Sequence, residues 1–385
     1  MPQSPLKKIC FVVSDPITVN AFMELHFKYL SSFYEVHLVA NLNHGSILNT
    51  SSIKTVQHIP LYRSIHPIKD LRALFALWKH FKTMQFDAVH CITPKAGLLG
   101  MLASKLAGIP IRIHIFTGQI WHTKTGISKW CFQQLDKLVV RLSTHILVDS
   151  HAQRDFLISQ HILTAGNSQV LGKGSISGVS PCKFSPNPAI RKAFRNKYGV
   201  SDSDTVFAFL GRMNKDKGIF ELITAFQKLN SRYSNTKLLF IGPDEQGIQS
   251  SIDASLSNQT IFIGHSNNPQ DFLQMADAFC MPSHREGFGT SVMEASMLGL
   301  PVICSDTYGL SDAFIENQTG LKHTVGKTEA LYQCMENLYL NPSLTKSMGN
   351  QAKQFALENF LADTVSTLWL KFYQHLFQQQ KPVTI

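Results

Sequence analysis

The sequence predicts an α/β protein of two doubly wound domains, and three observations carry that expectation. Its 385 residues suffice for two ordinary hydrophobic cores, and 44% apolar with 16% charged residues describes a globular chain, neither disordered nor fibrous. Short apolar runs alternate with helical patterns along the sequence, the arrangement that gives parallel sheets with helices on both faces. A Gly-, Ser- and Pro-rich stretch, Gly172-Lys173-Gly174-Ser175-Ile176-Ser177-Gly178-Val179-Ser180-Pro181, interrupts the pattern near the middle and reads as a hinge. The expected division is residues 1–172, residues 173–355 and a closing helical segment, 356–385.

In the first half, residues 8–13 form an apolar strand that ends in Ser14-Asp15-Pro16. A helix is expected over about 20–31 and a second strand over 35–40; further strands are expected at 55–59, 87–91, 111–116, 145–149 and 169–171. No glycine precedes Gly45, so the Gly-x-Gly-x-x-Gly of a dinucleotide-binding first strand is missing and a dehydrogenase is excluded. Thr93-Pro94-Lys95-Ala96-Gly97 opens a loop, helix and turn, in which Lys95 also admits the plain reading of a solvated lysine. His114 lies inside the fifth strand and reads as a core or boundary residue, just ahead of Phe116-Thr117-Gly118-Gln119.

The second half carries more chemistry in its loops. A strand over 206–210 leads into Gly211-Arg212-Met213-Asn214-Lys215-Asp216-Lys217-Gly218, whose cations stand between a strand's carboxyl end and a helix start, where a diphosphate would sit. Lys215 and Asp216 also fit a solvated charged turn. Strands over 237–241 and 260–263 end in Gly242-Pro243-Asp244 and Gly264-His265-Ser266. An apolar run at 278–281 then gives way to Pro282-Ser283-His284-Arg285-Glu286-Gly287-Phe288-Gly289-Thr290 and a helix from about Ser291. Open α/β sheets bind ligands at the carboxyl ends of their strands, so this loop is the expected site. Glu286 has no helix to cap and lies beside glycines that permit close backbone approach. Glu294 completes Ser291-Val292-Met293-Glu294, a capping-box pattern, so it has a structural role available beside a ligand role. Amides at the helix start suit an anion, and the carboxylates suit hydroxyls. The residues therefore point to a phosphorylated, hydroxyl-rich ligand.

Charge and cysteines narrow the setting. The formal charge of +10 is uneven: residues 1–172 hold 17 Lys/Arg against 8 Asp/Glu, while residues 173–385 are nearly balanced. A basic, aromatic helix over about 67–85 suits an anionic membrane surface, and equally an amphipathic helix covering a sheet. Zinc-finger spacing, an RNA-binding aromatic signature and a long basic block are all missing, so no nucleic acid is expected. The seven cysteines lack Cys-x-x-Cys spacing and suit free thiols in a reducing compartment. With no signal-peptide pattern at the start, a cytoplasmic chain is expected. Asp202-Ser203-Asp204 precedes its strand and is explained by turn chemistry, so no metal site is expected.

Glu286 and Glu294 in Arg-Glu-Gly-Phe-Gly-Thr-Ser-Val-Met-Glu-Ala, followed by Gly299-Leu300-Pro301-Val302-Ile303-Cys304-Ser305-Asp306, resemble the donor-site motif of the retaining family-4 (group 1) glycosyltransferases. Residues 305–312 and Thr319-Gly320-Leu321 are similar to that family's next segments, and 93–110 is similar to a segment of its bacterial members that build capsule, O-antigen and other lipid-linked surface glycans. The resemblance implies the GT-B fold, two Rossmann-like domains facing across a cleft, with an acceptor-binding, membrane-facing first domain and a closing helix that crosses back to it. It implies transfer of a sugar from a nucleoside diphosphate, expected to be UDP, to a lipid-linked saccharide at the inner membrane surface, with no cofactor or metal. Arg212, Lys217 and Glu286 would be catalytic. Gly211, Gly287, Phe288, Gly289, Thr290, Ser291, Val292 and Glu294 would bind the donor, with Gly264, His265 and Ser266 near the base. Ser14, Asp15, Lys95 and Thr117 would lie on the acceptor side. Many relatives place a histidine close before Gly118; Phe116 and Thr117 stand here instead. Other readings of the same architecture are a nucleotide-sugar epimerase and a non-catalytic sugar-nucleotide-binding partner.

Overall fold

The computed structural model describes residues 5–379 apart from residue 63 and the side chain of His44. It divides into two compact units, one reaching Ser177 and resuming at Ala362, the other Gly178–Leu361. No helix among the described residues is long and apolar enough to cross a membrane.

The first unit is built on six parallel strands, β1 (Lys8–Val12), β2 (Glu35–Ala40), β3 (Thr55–His58), β4 (Ala88–Ile92), β5 (Ile111–Phe116) and β6 (His145–Val148), in the order β3-β2-β1-β4-β5-β6. The chain winds outward from β1, then returns to lay β4 beside it, so the strand order reverses between β1 and β4. One face packs α1 (Pro16–Phe22) and α2 (Glu24–Ser31) with Phe11, Phe27, Trp369 and Tyr373; the other packs α3 (Pro67–Met84), α4 (Pro94–Ala107) and α5 (Gly126–Leu142). A sixth helix, α6 (His151–Ser159), follows β6.

Local chemistry moves several expected boundaries. Asp15 accepts the Ile17 N–H and Pro16 fixes the first helical φ, so a helix begins at Pro16 and the chain breaks at Met23 into two short helices. The strand expected at 169–171 does not form: Gln169 makes only an isolated bridge to Leu147. The long helix α5 had not been anticipated.

The second unit has six parallel strands, β7 (Thr205–Leu210), β8 (Thr236–Ile241), β9 (Thr260–Phe262), β10 (Ala278–Met281), β11 (Val302–Ser305) and β12 (Gly320–His323), ordered β12-β11-β10-β7-β8-β9. Its helices are α7 (Pro188–Lys197), α8 (Ile219–Asn230), α9 (Ile248–Ser251), α10 (Pro269–Leu273), α11 (Thr290–Met297), α12 (Thr328–Leu340) and α13 (Pro342–Asn359). Here the reversal falls between β7 and β10, both lined with fully buried side chains. The last helix, α14 (Ala362–Gln379), belongs to the first unit, where Trp369 and Tyr373 are buried against Phe11 and α14 packs on α2.

Candidate active site

In a doubly wound sheet the crevice opens where strand order reverses, because the loops leaving the two central strands turn to opposite faces. In the second unit those loops are 211–218, after β7, and 282–289, after β10. They meet through a buried-edge contact: Lys217 Nζ donates to Glu286 Oε1 at 2.5 Å, and Ser283 Oγ donates to the same oxygen at 2.8 Å. Both partners of the ion pair are largely withdrawn from water.

Two glycines set how closely the loops approach. A Cβ at Gly218, whose φ is +68°, would come within 2.1 Å of the Pro282 carbonyl oxygen, and one at Gly309 within 2.0 Å of that of Glu286. Only a bare α-carbon fits at either place. Arg285 Nε donates to Asp216 Oδ2 at 2.8 Å, the His284 N–H donates to the Asp216 carbonyl at 2.8 Å, and His284 Nε2 lies 2.8 Å from Glu221 Oε1. Asp216 is therefore a clasp between the loops and not the solvated turn residue expected, whereas Lys215 is exposed as expected.

Arg212 stands at the same carboxyl edge but pairs elsewhere. Its Nη1 donates to both oxygens of Glu245 at 2.8 and 3.1 Å, and Asn214 Nδ2 donates to Glu245 at 2.7 Å. The loops after β7 and β8 are joined beneath by a bridge between Met213 and Asp244, which holds this half-exposed guanidinium in place. Gly211 N–H donates to the Ile241 carbonyl, and the Gly242 N–H to that of Gly264. Ser266 Oγ accepts from the Asn268 N–H, and His265 is exposed.

The capping box does not form. Helix α11 starts one residue early, at Thr290, with Gly289 at φ +74° as its N-cap and no described side chain capping it. Ser291 is then the second helical residue, and Glu294 lies too far along to reach back. Val292 donates its N–H to the Gly289 carbonyl at 2.9 Å, so the amides at the helix tip are those of Thr290 and Ser291. Buried Gly287, Phe288 and Val292 anchor that tip in the core. The carboxyl of half-buried Glu294 is pushed up to about 7 by burial, against an opposing pull from Lys183.

The first unit's reversal point brings Ser14 and Thr93 together, their hydroxyls 2.9 Å apart. Asp15 is spent on capping α1. Lys95 is not a solvated lysine: its Nζ lies 2.7 Å from Asp70 Oδ1 and donates to the Ser64 carbonyl. Thr117 is half-buried at the end of β5, and His114 is buried against Gly97, a core position as expected. A buried polar group in the turns after β5 and β6 had escaped sequence reasoning. Gln153 donates to Gln119 at 3.1 Å and accepts the Asp149 N–H at 3.2 Å, and burial pushes the Asp149 carboxyl up to about 8. Spacing gives no sign of it, because Gln119 and the Asp149–Gln153 turn come from two segments about 30 residues apart. Among the described residues no group of three or more His, Cys, Asp or Glu side chains could hold a metal ion; Asp204 instead accepts the Ser201 N–H within its turn.

Two family models match, glycosyl transferases group 1 over residues 190–355 and the glycosyl transferase 4-like domain over residues 32–171. The capsular polysaccharide biosynthesis glycosyltransferase CapM of Staphylococcus aureus is 29% identical over 86% of this chain and 87% of its own length. The UDP-Gal:alpha-D-GlcNAc-diphosphoundecaprenol alpha-1,3-galactosyltransferase of Escherichia coli is 26% identical over 67% of each. Sucrose-phosphate synthase from Thermosynechococcus elongatus, 17% identical, superimposes with a TM-score of 0.82 over 97% of this chain and 100% of that one. This chain's two six-stranded parallel sheets have the GT-B fold, and a glycosyltransferase family model covers most of each half of the chain.

Proposed function

We propose that this chain transfers a sugar from a UDP-linked donor to a lipid-linked saccharide, with retention of configuration, in the synthesis of a bacterial surface polysaccharide. The observation that carries the reading is the Lys217–Glu286 pair at the second unit's reversal point, beside the uncapped tip of α11. Lys217 and the Thr290 and Ser291 amides would take the diphosphate, with Arg212 beside them, so side chains and amides supply the positive charge and no metal is called for. Glu286 would hold sugar hydroxyls and Glu294 the ribose. The bond from the anomeric carbon to the diphosphate breaks as the acceptor oxygen bonds on the same face, and the acceptor's proton passes to the departing diphosphate. No enzymic nucleophile takes part. The Staphylococcus relative, a capsular polysaccharide glycosyltransferase, supports the pathway, and the Escherichia relative, which takes UDP-Gal and a diphosphoundecaprenol-linked sugar, supports the nucleotide and the acceptor class. Ser14, Asp15, Lys95 and Thr117 are assigned to the acceptor side, His265 with Gly264 and Ser266 to the base, and the basic first unit to the cytoplasmic membrane surface.

A carboxyl that titrates near pH 7 makes the ribose assignment testable. Hydroxyls donate to a carboxylate, so donor affinity is expected to rise as pH increases from about 6 to 8, and the Glu294→Gln variant to be flat across that range. Calorimetric titration with UDP-sugars at each pH checks this. The overall reading is tested by mass spectrometry of lipid-linked glycans from cells with and without the gene. A glycan shortened by one sugar in the deleted strain supports it, and an unchanged glycan profile contradicts it.

A further inference from the structure

The two segments that build the second unit's site cross at three places. Lys217 meets Glu286 at 2.5 Å, Asp216 meets Arg285 at 2.8 Å, and Glu221 Oε1 lies 2.8 Å from His284 Nε2. Glu221 stands in the first turn of α8, four residues beyond Lys217, and His284 stands two residues before Glu286. The acids and bases are divided between both segments. A slip by one residue would set Lys217 against Arg285 or Asp216 against Glu286, and like charges in contact oppose it. The register that seats Lys217 on Glu286 is therefore the one in which each acid meets a base.

His284 is held at its backbone and at its ring. Its N–H donates to the Asp216 carbonyl at 2.8 Å, and Nε2 donates to Glu221, since a carboxylate only accepts. The second oxygen of Glu221, Oε2, is buried with no hydrogen-bond partner among the described residues. Buried His323, at the end of β12, stands close enough to feel that charge, and it offers no donor. Its Nδ1 lies 3.0 Å from the Thr324 carbonyl and so carries the hydrogen, which leaves the buried, unpartnered Nε2 as another acceptor. Burial pulls the His323 ring down in pKa and keeps it neutral, against the charges of Asp306 and Glu221. A carboxylate oxygen buried without a donor costs stability, so packing alone does not account for an acid at position 221.

We propose that Glu221 is a positioning residue for the transfer step: through His284 it holds the 282–289 loop in the register that seats Lys217 on Glu286. The inference rests on the reading of that pair as part of a transferase site. Glu221 itself touches neither phosphate nor sugar. It controls where Glu286 and Lys217 stand when the bond to the diphosphate breaks, and a displacement of about 1 Å is enough to slow such a step about a hundredfold. The tip of α11 is anchored separately, by buried Phe288 and Val292, so the diphosphate keeps its amides when Glu221 is changed.

Steady-state kinetics and calorimetric titration with a UDP-sugar test this. Glu221→Ala is expected to lower kcat roughly ten- to a hundredfold while donor affinity changes by less than about threefold. Glu221→Gln can still accept from His284 and puts an N–H in the place of the unpartnered oxygen. It should recover most of the rate and melt no lower than the unchanged chain. His284→Ala should repeat the loss, and adding Glu221→Ala to it should cost nothing further. A crystal structure of Glu221→Ala should show Lys217 Nζ beyond hydrogen-bond distance of Glu286. Unchanged kcat in Glu221→Ala, a loss of donor affinity as large as the loss in kcat, an equal loss in Glu221→Gln, full additivity with His284→Ala, or an undisturbed Lys217–Glu286 pair in that crystal would each overturn the proposal. If the unchanged chain transfers no sugar to a lipid-linked acceptor, the transferase reading falls instead, and the place of Lys217 in the variant crystal still decides this inference.

Discussion

Lys217→Ala is expected to lower turnover by about two to three orders of magnitude while the second unit stays folded. The ammonium and the Glu286 carboxylate are 2.5 Å apart in a site largely shielded from water, where a cation opposite developing negative charge is far more effective than at the surface. Removing it takes away a counter-charge for the leaving diphosphate and leaves Glu286 with Ser283 as its remaining described partner. An unpaired carboxylate there would also repel the incoming diphosphate, so donor affinity should fall together with kcat. Lys217→Arg keeps the charge but not the compact point donor, and should recover only part of the rate. Arg212→Ala should cost less. That guanidinium is half-exposed, and Glu245 already balances its charge. Steady-state kinetics with donor titration separate these outcomes; equal rates for the unchanged chain and Lys217→Ala would remove this lysine from the mechanism.

Acid is expected to unfold the first unit before the second, with stability greatest near pH 6 to 7. His26, His90 and His114 are buried there as neutral rings: His26 and His90 each stack on Trp369, at 4.5 and 5.0 Å, and His90 Nδ1 lies 2.7 Å from the Tyr373 hydroxyl. Burial pulls His26 and His114 down from 6.5 to about 4, and His90 well below 6.5. The unfolded chain therefore takes up three protons below pH 6.5 that the folded unit refuses, and stability falls as pH drops from 6.5 towards 4. Two buried carboxyls act in the opposite sense, because Asp149 and Asp136, raised from 3.8 to about 8 and about 6, hold protons that the unfolded chain releases. Three fully buried histidines against two carboxyls leave a net uptake of about one proton, or about 1.4 kcal/mol lost per pH unit, and His37, His80 and His145, also pulled down by burial, add to it in the same direction. All four tryptophans, Trp78, Trp121, Trp130 and Trp369, lie in the first unit, so their fluorescence reports its unfolding alone. His26→Gln should flatten the slope by about one proton. A melting temperature that does not change between pH 7 and 4.5 would refute this balance.

How much of this was legible in the sequence depended on the range of the interaction. Alternating apolar runs fixed the order of strands and helices, and glycine-punctuated loops marked the carboxyl ends where Lys217 and Glu286 meet. Local spacing could not reveal that Arg212 pairs with Glu245, 33 positions away, because that contact depends on β8 lying beside β7. Gly309 carried no signal of its own, since its need to be glycine comes from the Glu286 carbonyl above it. Glu294 misled for the opposite reason. The Ser291 to Glu294 pattern suits a helix cap, but Gly289 adopts a left-handed conformation and starts the helix sooner.

The central claim is that the second unit holds a diphosphate between Lys217 and the tip of α11. A crystal structure of the chain with a bound UDP-sugar tests it most directly. The account predicts phosphate oxygens within hydrogen-bond distance of Lys217 Nζ and of the Thr290 and Ser291 amides, with the sugar hydroxyls on Glu286. A nucleotide bound elsewhere, or one whose phosphates leave Lys217 and those amides untouched, would contradict it.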